Sequence, residues 1–229
     1  MAARLKYMAG REFVRQVSSG ERDFSRMRLE EGFDLSGYDC FDGMQECLIY
    51  LQNHEANPLL ITGSQLRGVK ARGIYLPFVK GKGASFRRAE LGEVNFEGAD
   101  LERADFEGAD LEGAYFLRAH LEKAHFGGAD LRWAYLEGAH LQGAHLEKAH
   151  LQGAHLEKAH LQGAHLQGAH LKRAHLKRAD LERADLKGAL HLKDALGLGT
   201  THFLRTRVSK EQRAIIGKAL KKTPRLIVE

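Results

Sequence analysis

Eight histidines stand at every fifth residue from His140 to His175, and His120 and His125 keep the same beat earlier in the chain. A neutral imidazole ligates zinc, nickel or copper, and it takes up a proton near pH ~6.5, so a regular series can hold metal or respond to pH. Two other features can do chemistry. Lys172, Arg173, Lys177 and Arg178 crowd into HLKRAHLKRADLER (170–183), a cationic band suited to an acidic protein or a phosphate backbone. Asp180, Glu182 and Asp185 are interleaved with that band and no aromatic stacking platform accompanies it, which disfavours nucleic acid as the partner. Trp133, the single tryptophan, is set among glycines and small residues and suits an anchor for a protein partner. Motifs of the GxSxG, HExxH, CxxC or phosphate-loop type are absent, so neither a catalytic residue nor a cofactor is expected.

With 229 residues, 43% hydrophobic and 28% charged, the chain has material for one large or two small soluble domains. No apolar run approaches the ~20 residues of a membrane span, and MAARLKYMAGREF lacks a secretory apolar stretch. Cys40 and Cys47 are too few to staple a fold and fit a reducing compartment, so the expectation is a cytoplasmic protein without membrane contact. The net charge of +5 is uneven: residues 84–137 hold 6 basic and 12 acidic groups, 138–188 hold 8 and 5, and 189–229 hold 9 and 3. The body is acidic at one end, and the basic excess sits in the tail.

The elements that carry these residues must follow from a period of five. Ala, Leu, Glu, Lys and Gln favour helix by propensity. At ~100° per residue, however, a step of five rotates each leucine by about 140°, so no apolar stripe forms. A flat strand fails too, because an odd step sends alternate leucines to opposite faces. The phrase makes sense if the chain turns once per repeat and every leucine points inward again. Glycine at the fifth position of half the phrases from 99 to 188 suits such corners. A short repeat that cannot bury its own apolar residue must stack on its neighbours, which is a solenoid.

ADLERADFEGADLEG (99–113), with Ala, Asp, then Leu or Phe and two variable positions, resembles the pentapeptide-repeat proteins. The resemblance implies an all-β fold: a right-handed quadrilateral β-helix solenoid, square in section, of twenty residues per coil, with short terminal α-helices. It implies an inward Ala and central residue in each phrase. The core is then Phe86, Phe96, Phe106, Phe116 and Phe126, followed by leucines that include Leu141, Leu146, Leu151, Leu156 and Leu161. It implies a non-catalytic role as a scaffold for an unknown macromolecule, most naturally a protein. The family's quinolone-resistance members imply DNA gyrase or topoisomerase modulation as an alternative, and other members imply a homodimer through the C-terminal segment.

With twenty residues per coil, residues twenty apart stack about 4.8 Å from each other. The columns then read His120, His140, His160 and His125, His145, His165, with His150, His170 and His155, His175 on the other two sides. A column offers two histidines to one ion before water must complete the shell, which predicts weak metal adhesion at most; protonation of stacked imidazoles predicts lower stability toward pH 5. Along the chain the expected units are a capping helix at 1–20, irregular first coils at 21–46, an out-of-pattern loop or short helix at 47–58, degenerate repeats at 59–83, the regular β-helix at 84–193 and a basic cap or dimerisation helix at 194–229. Within 59–83, Ala71 and Gly81 are undersized at inward positions, which predicts distorted coils there.

Overall fold

The computed structural model describes residues 5–35 and 58–220. The phrase at 139–143 shows how five residues satisfy their backbone. His140 N–H donates to Ala119 O of the preceding coil at 2.9 Å, while Leu141 N–H donates to His160 O at 2.8 Å and Gly143 N–H to Gln162 O at 2.9 Å in the next. Ala144 N–H then closes back on Leu141 O at 3.0 Å, with Gly143 at φ +64, the left-handed residue that a type II turn demands in its third position. Lys148 and Arg173 hold that same left-handed corner with φ of 58 and 60, so the turn is imposed by stacking even where the residue is not glycine.

Each phrase therefore contributes one parallel bridge. The bridges run with a spacing of twenty residues from Leu60↔Lys80 to His170↔Leu190, four to a coil. Inside, every central residue from Phe86 to Leu186 is 2% exposed or less, including all ten core residues named above. The phenylalanines stack: Phe106 lies 5.0 Å from both Phe86 and Phe126 with nearly parallel rings, and meets Phe116 edge-on at 5.9 Å.

Three expectations are corrected at the ends. The N-terminal segment is a strand as well as a helix: β1 (Lys6–Met8) pairs in parallel with β2 (Met27–Leu29), and α1 covers Gly10–Ser18. The first coil presents an open strand edge, and β1 covers it, which no helix could do by backbone bonding. Gly10 is required at the join, because a Cβ there would run into the Phe33 ring. The degenerate coils at 59–83 are not distorted, for their bridges keep register, and a Cβ on Gly81 would meet Leu101 Cδ2 at 2.9 Å and Ile61 Cγ1 at 3.3 Å. Larger neighbours in adjacent coils occupy the space that Gly81 leaves.

The solenoid also continues past residue 193. Bridges His175↔Leu196, Asp180↔His202 and Asp185↔Arg207 complete another coil, whose spacing stretches to 21 and 22 residues. Two six-residue phrases cause this: 3-10 turns at Leu192–Asp194 and Leu198–Thr200 absorb the extra residue and still bury Leu192 and Leu198. The helix α2 (Lys210–Leu220) follows. A capping box starts it, with Gln212 N–H on Ser209 Oγ and Ser209 N–H on Gln212 Oε1. Gln212 Nε2 also donates to Leu186 O at 2.8 Å and Ala189 O at 3.0 Å, while Ile216 and Leu220 are buried. Helix α2 thus packs Ile216 and Leu220 against its own chain, as a cap does.

At the other end the register slips by one residue before Leu35, since Asp34 bridges Lys70 across 36 residues where Arg28 bridges Gln65 across 37. Cys40, Cys47 and most of the out-of-pattern segment 47–58 lie outside the described residues, as does 221–229. Among the described residues no helix is long and apolar enough to cross a membrane.

Candidate functional site

The residue before each central leucine faces outward, and stacking of the coils turns these residues into side-chain columns. His120 and His140 rings lie 4.7 Å apart, His140 and His160 5.0 Å, His125 and His145 4.6 Å, and His145 and His165 4.8 Å, all stacked. Both histidine sets expected from the sequence are thus brought together. On the other two sides His150 stacks on His170 at 5.0 Å and His155 on His175 at 4.5 Å, the latter below Tyr115 and Tyr135 in one continuous stack. The first column runs further than the sequence suggested: Asp180 below His160 accepts a 2.8 Å hydrogen bond from His202 of the added coil.

The same position does different work when it is Asp or Asn. Asp105, Asp110, Asp130, Asp180 and Asp185 each accept the backbone N–H two residues on, at 3.0 to 3.1 Å, and Asn95 does so at 2.8 Å. That bond satisfies the one N–H of the phrase that neither the coil-to-coil bonding nor the turn uses. No such bond accompanies the histidine phrases among the described residues. Histidine at this position gives up a local turn bond and gains a ring stack.

The carboxylate two residues after a histidine is the functional group that the sequence reading missed. Glu157 Oε1 lies 3.7 Å from His155 Nδ1 and 3.2 Å from His175 Nδ1. Glu147 Oε1 lies 3.2 Å from His145 Nδ1 and 3.9 Å from His165 Nδ1, and Glu122 Oε1 lies 3.4 Å and 4.0 Å from those of His120 and His140. In each triplet one carboxylate oxygen faces the Nδ1 edge of both stacked rings. Of the six metal candidates from the sequence, His120, His140, His145 and His165 belong to triplets. His125 and His160 belong to none of the triplets. The signal was available as His-x-Glu with a second His twenty residues after the first.

Burial, followed by the neighbouring His120 and His160, lowers the pKa of His140 from its ordinary value, against a smaller opposing pull from Glu122. Burial beside His150 and His191 lowers that of His170 in the same way. Burial pushes the Asp180 carboxyl up, but the Glu182 N–H and His202 outweigh it and hold it below the usual carboxylate range.

The basic candidates Lys172, Arg173, Lys177 and Arg178 are all exposed and none forms an ion pair among the described residues. Trp133 is 49% exposed, and its ring lies against Gly153 of the next coil, so half of it is already covered within the chain. A cavity of about 220 Å³ lies under the C-terminal lid between Phe203, Arg205, Thr206, Val208, Arg213, Ile216 and Gly217, and no histidine lines it.

Single parallel bridges at a five-residue pitch, an Ala and Leu or Phe core and Asp-closed corners define a β-helix of short repeats. A family model described as pentapeptide repeats matches overlapping stretches that together run from residue 82 to 190, and the chain belongs to that family. HetL, a pentapeptide repeat protein involved in heterocyst differentiation regulation from the cyanobacterium Nostoc, is similar at 23% identity. That match covers 87% of this chain and 94% of HetL with a TM-score of 0.51, which shows a shared right-handed β-helix type of fold. Trypsin-treated QnrB1, a plasmid-mediated fluoroquinolone resistance protein, matches at 19% identity over 74% of this chain and 89% of its own, with a TM-score of 0.42. A pentapeptide repeat protein from the Arabidopsis thaliana thylakoid lumen matches at 25% identity over 60% and 74%, with a TM-score of 0.23. No curated protein matches the chain.

Proposed function

We propose that the chain is a non-catalytic cytoplasmic scaffold: a rigid, square-sectioned rod that presents fixed columns of side chains to a protein partner. The observation that carries this reading is the stacking of outward rings on all four sides at 4.5 to 5.0 Å, a surface ordered before any partner arrives. Preordering lowers the entropy cost of binding. The histidine columns and their glutamates stand on the outside of a regular coil, away from the C-terminal cavity, which suits recognition better than catalysis. Trp133 and the exposed band at Lys172, Arg173, Lys177 and Arg178 are the contact candidates, an aromatic anchor and a basic flank for an acidic protein surface.

In-cell crosslinking of the full chain tests this. The expected result is a reproducible protein partner that is lost in a Lys172→Glu, Lys177→Glu, Arg178→Glu variant whose melting temperature is unchanged. A partner retained at full yield by that variant and by Trp133→Ala removes these residues from the interface. Altered supercoiling by purified DNA gyrase on adding the chain replaces the scaffold reading with modulation of that enzyme.

A further inference from the structure

The three histidine–glutamate–histidine triplets share a geometry that ring stacking alone does not require. In each, the two rings direct Nδ1, and not Nε2, at one glutamate oxygen lying between them. The six nitrogen–oxygen separations fall between 3.2 and 4.0 Å. Tetrahedral zinc with bonds of 2.0–2.1 Å places neighbouring donors about 3.3 Å apart, so small side-chain rotations bring nitrogen and oxygen onto one ion. His155, Glu157 and His175 come closest. Their rings are the nearest pair, at 4.5 Å, and are tilted by 26°, so that the in-plane lone pairs need not run parallel. Glu137 Oε1, 3.8 Å from His155 Nδ1, stands beside them as a fourth donor.

Two contrasts within the same molecule sharpen the point. Asp110, Glu112 and Asp130 are grouped just as tightly, but there Arg132 reaches Asp130 at 2.7 Å and Glu112 at 3.3 Å and already supplies the positive charge. No lysine or arginine pairs with Glu122, Glu147 or Glu157 among the described residues, and Glu157 Oε2 is buried without a hydrogen-bond partner there. His150 and His170 stack at 5.0 Å as the triplet histidines do, yet the residue between them is the neutral Gln152.

We propose that the His155–Glu157–His175 cluster, together with its counterparts His145–Glu147–His165 and His120–Glu122–His140, binds zinc(II). Two imidazole nitrogens and one carboxylate hold the ion, and Glu137 or water completes the shell. The donor set selects a borderline cation such as zinc over calcium or magnesium, which take oxygen ligands. The site is built by the coil register, so it needs little ordering on binding. It lies at the surface and keeps an exchangeable position, which places the affinity in the micromolar range.

Isothermal titration calorimetry of the intact chain with zinc chloride alone at pH 7.5 tests the assignment. Three sites are expected, each removed, or weakened by about tenfold or more, by its own substitution among Glu122→Gln, Glu147→Gln and Glu157→Gln. These variants copy the phrases that already carry glutamine at 142, 152 and 162, so folding is retained and a thermal melt verifies it. His150→Gln with His170→Gln leaves the titration unchanged. Fewer sites, each lost with its glutamate, uphold those triplets and overturn the remainder. Absence of binding, binding indifferent to all three glutamates, or equal loss on removing His150 and His170 overturns the proposal in favour of no site or of nonspecific adhesion to the ladders.

Discussion

Replacing Gly153 by alanine tests whether neighbouring coils are locked at the spacing described. Gly153 has φ +69, and a Cβ there would sit 2.8 Å from Trp133 Cδ2 and closer still to other ring carbons. Gly163 has φ +66 with nothing within 4 Å of its Cβ position. The two glycines occupy the same place in their phrases. Both Gly→Ala changes cost the left-handed strain of ~1–2 kcal/mol and share whatever is gained from a stiffer unfolded chain. The difference between them isolates the indole. Trp133 is about half covered, which for a side chain burying 150–250 Å² when enclosed is roughly 100 Å², or about 2.5 kcal/mol at ~25 cal/mol per Å² if wholly lost. Partial displacement makes Gly153→Ala less stable than Gly163→Ala by about 1–2 kcal/mol, or roughly 2–8 °C in Tm for a chain of this size. As the only tryptophan, Trp133 also reports directly, and its emission shifts to the red in Gly153→Ala alone. Equal melting temperatures with unchanged emission would refute the packing of that ring on the next coil.

Acidification is expected to destabilise the protein through His140 and His170. Their pKa values are depressed in the folded state by burial and by the facing histidines His120, His160, His150 and His191, against Glu122 for His140. The unfolded chain therefore binds protons first, so this stability is complete above pH ~6.5 and is lost as pH falls through the lower folded values; a Tm in chelator-treated buffer that holds or rises from pH 7.5 to 5 contradicts it. Phe106→Ala removes a fully buried ring with two stacked and two edge-on phenyl neighbours. The loss belongs in the upper half of ~3–5 kcal/mol, measured as a drop in urea midpoint. Gln212→Ala leaves the Leu186 and Ala189 carbonyls without their amide donor and unmakes the capping box, for a loss of about 1–3 kcal/mol. Hydrogen exchange should show that loss concentrated in α2 and the last coil.

The repeat phrase alone determined that the chain must coil, because only a turn at every fifth residue returns each leucine to one interior. From that period and the family resemblance came the core from Phe86 to Leu186 and the histidine columns, all locked to the repeat. The ends followed different rules. β1 covers an edge that exists only once the first coil has formed, Gly81 is accommodated because Ile61 and Leu101 sit twenty residues to either side, and the last coil absorbs six-residue phrases that break the written pattern. The place of Glu157 between His155 and His175 was likewise settled by stacking. Its two imidazole partners lie two residues before it and eighteen after it, and only the register of successive coils turns those separations into contact.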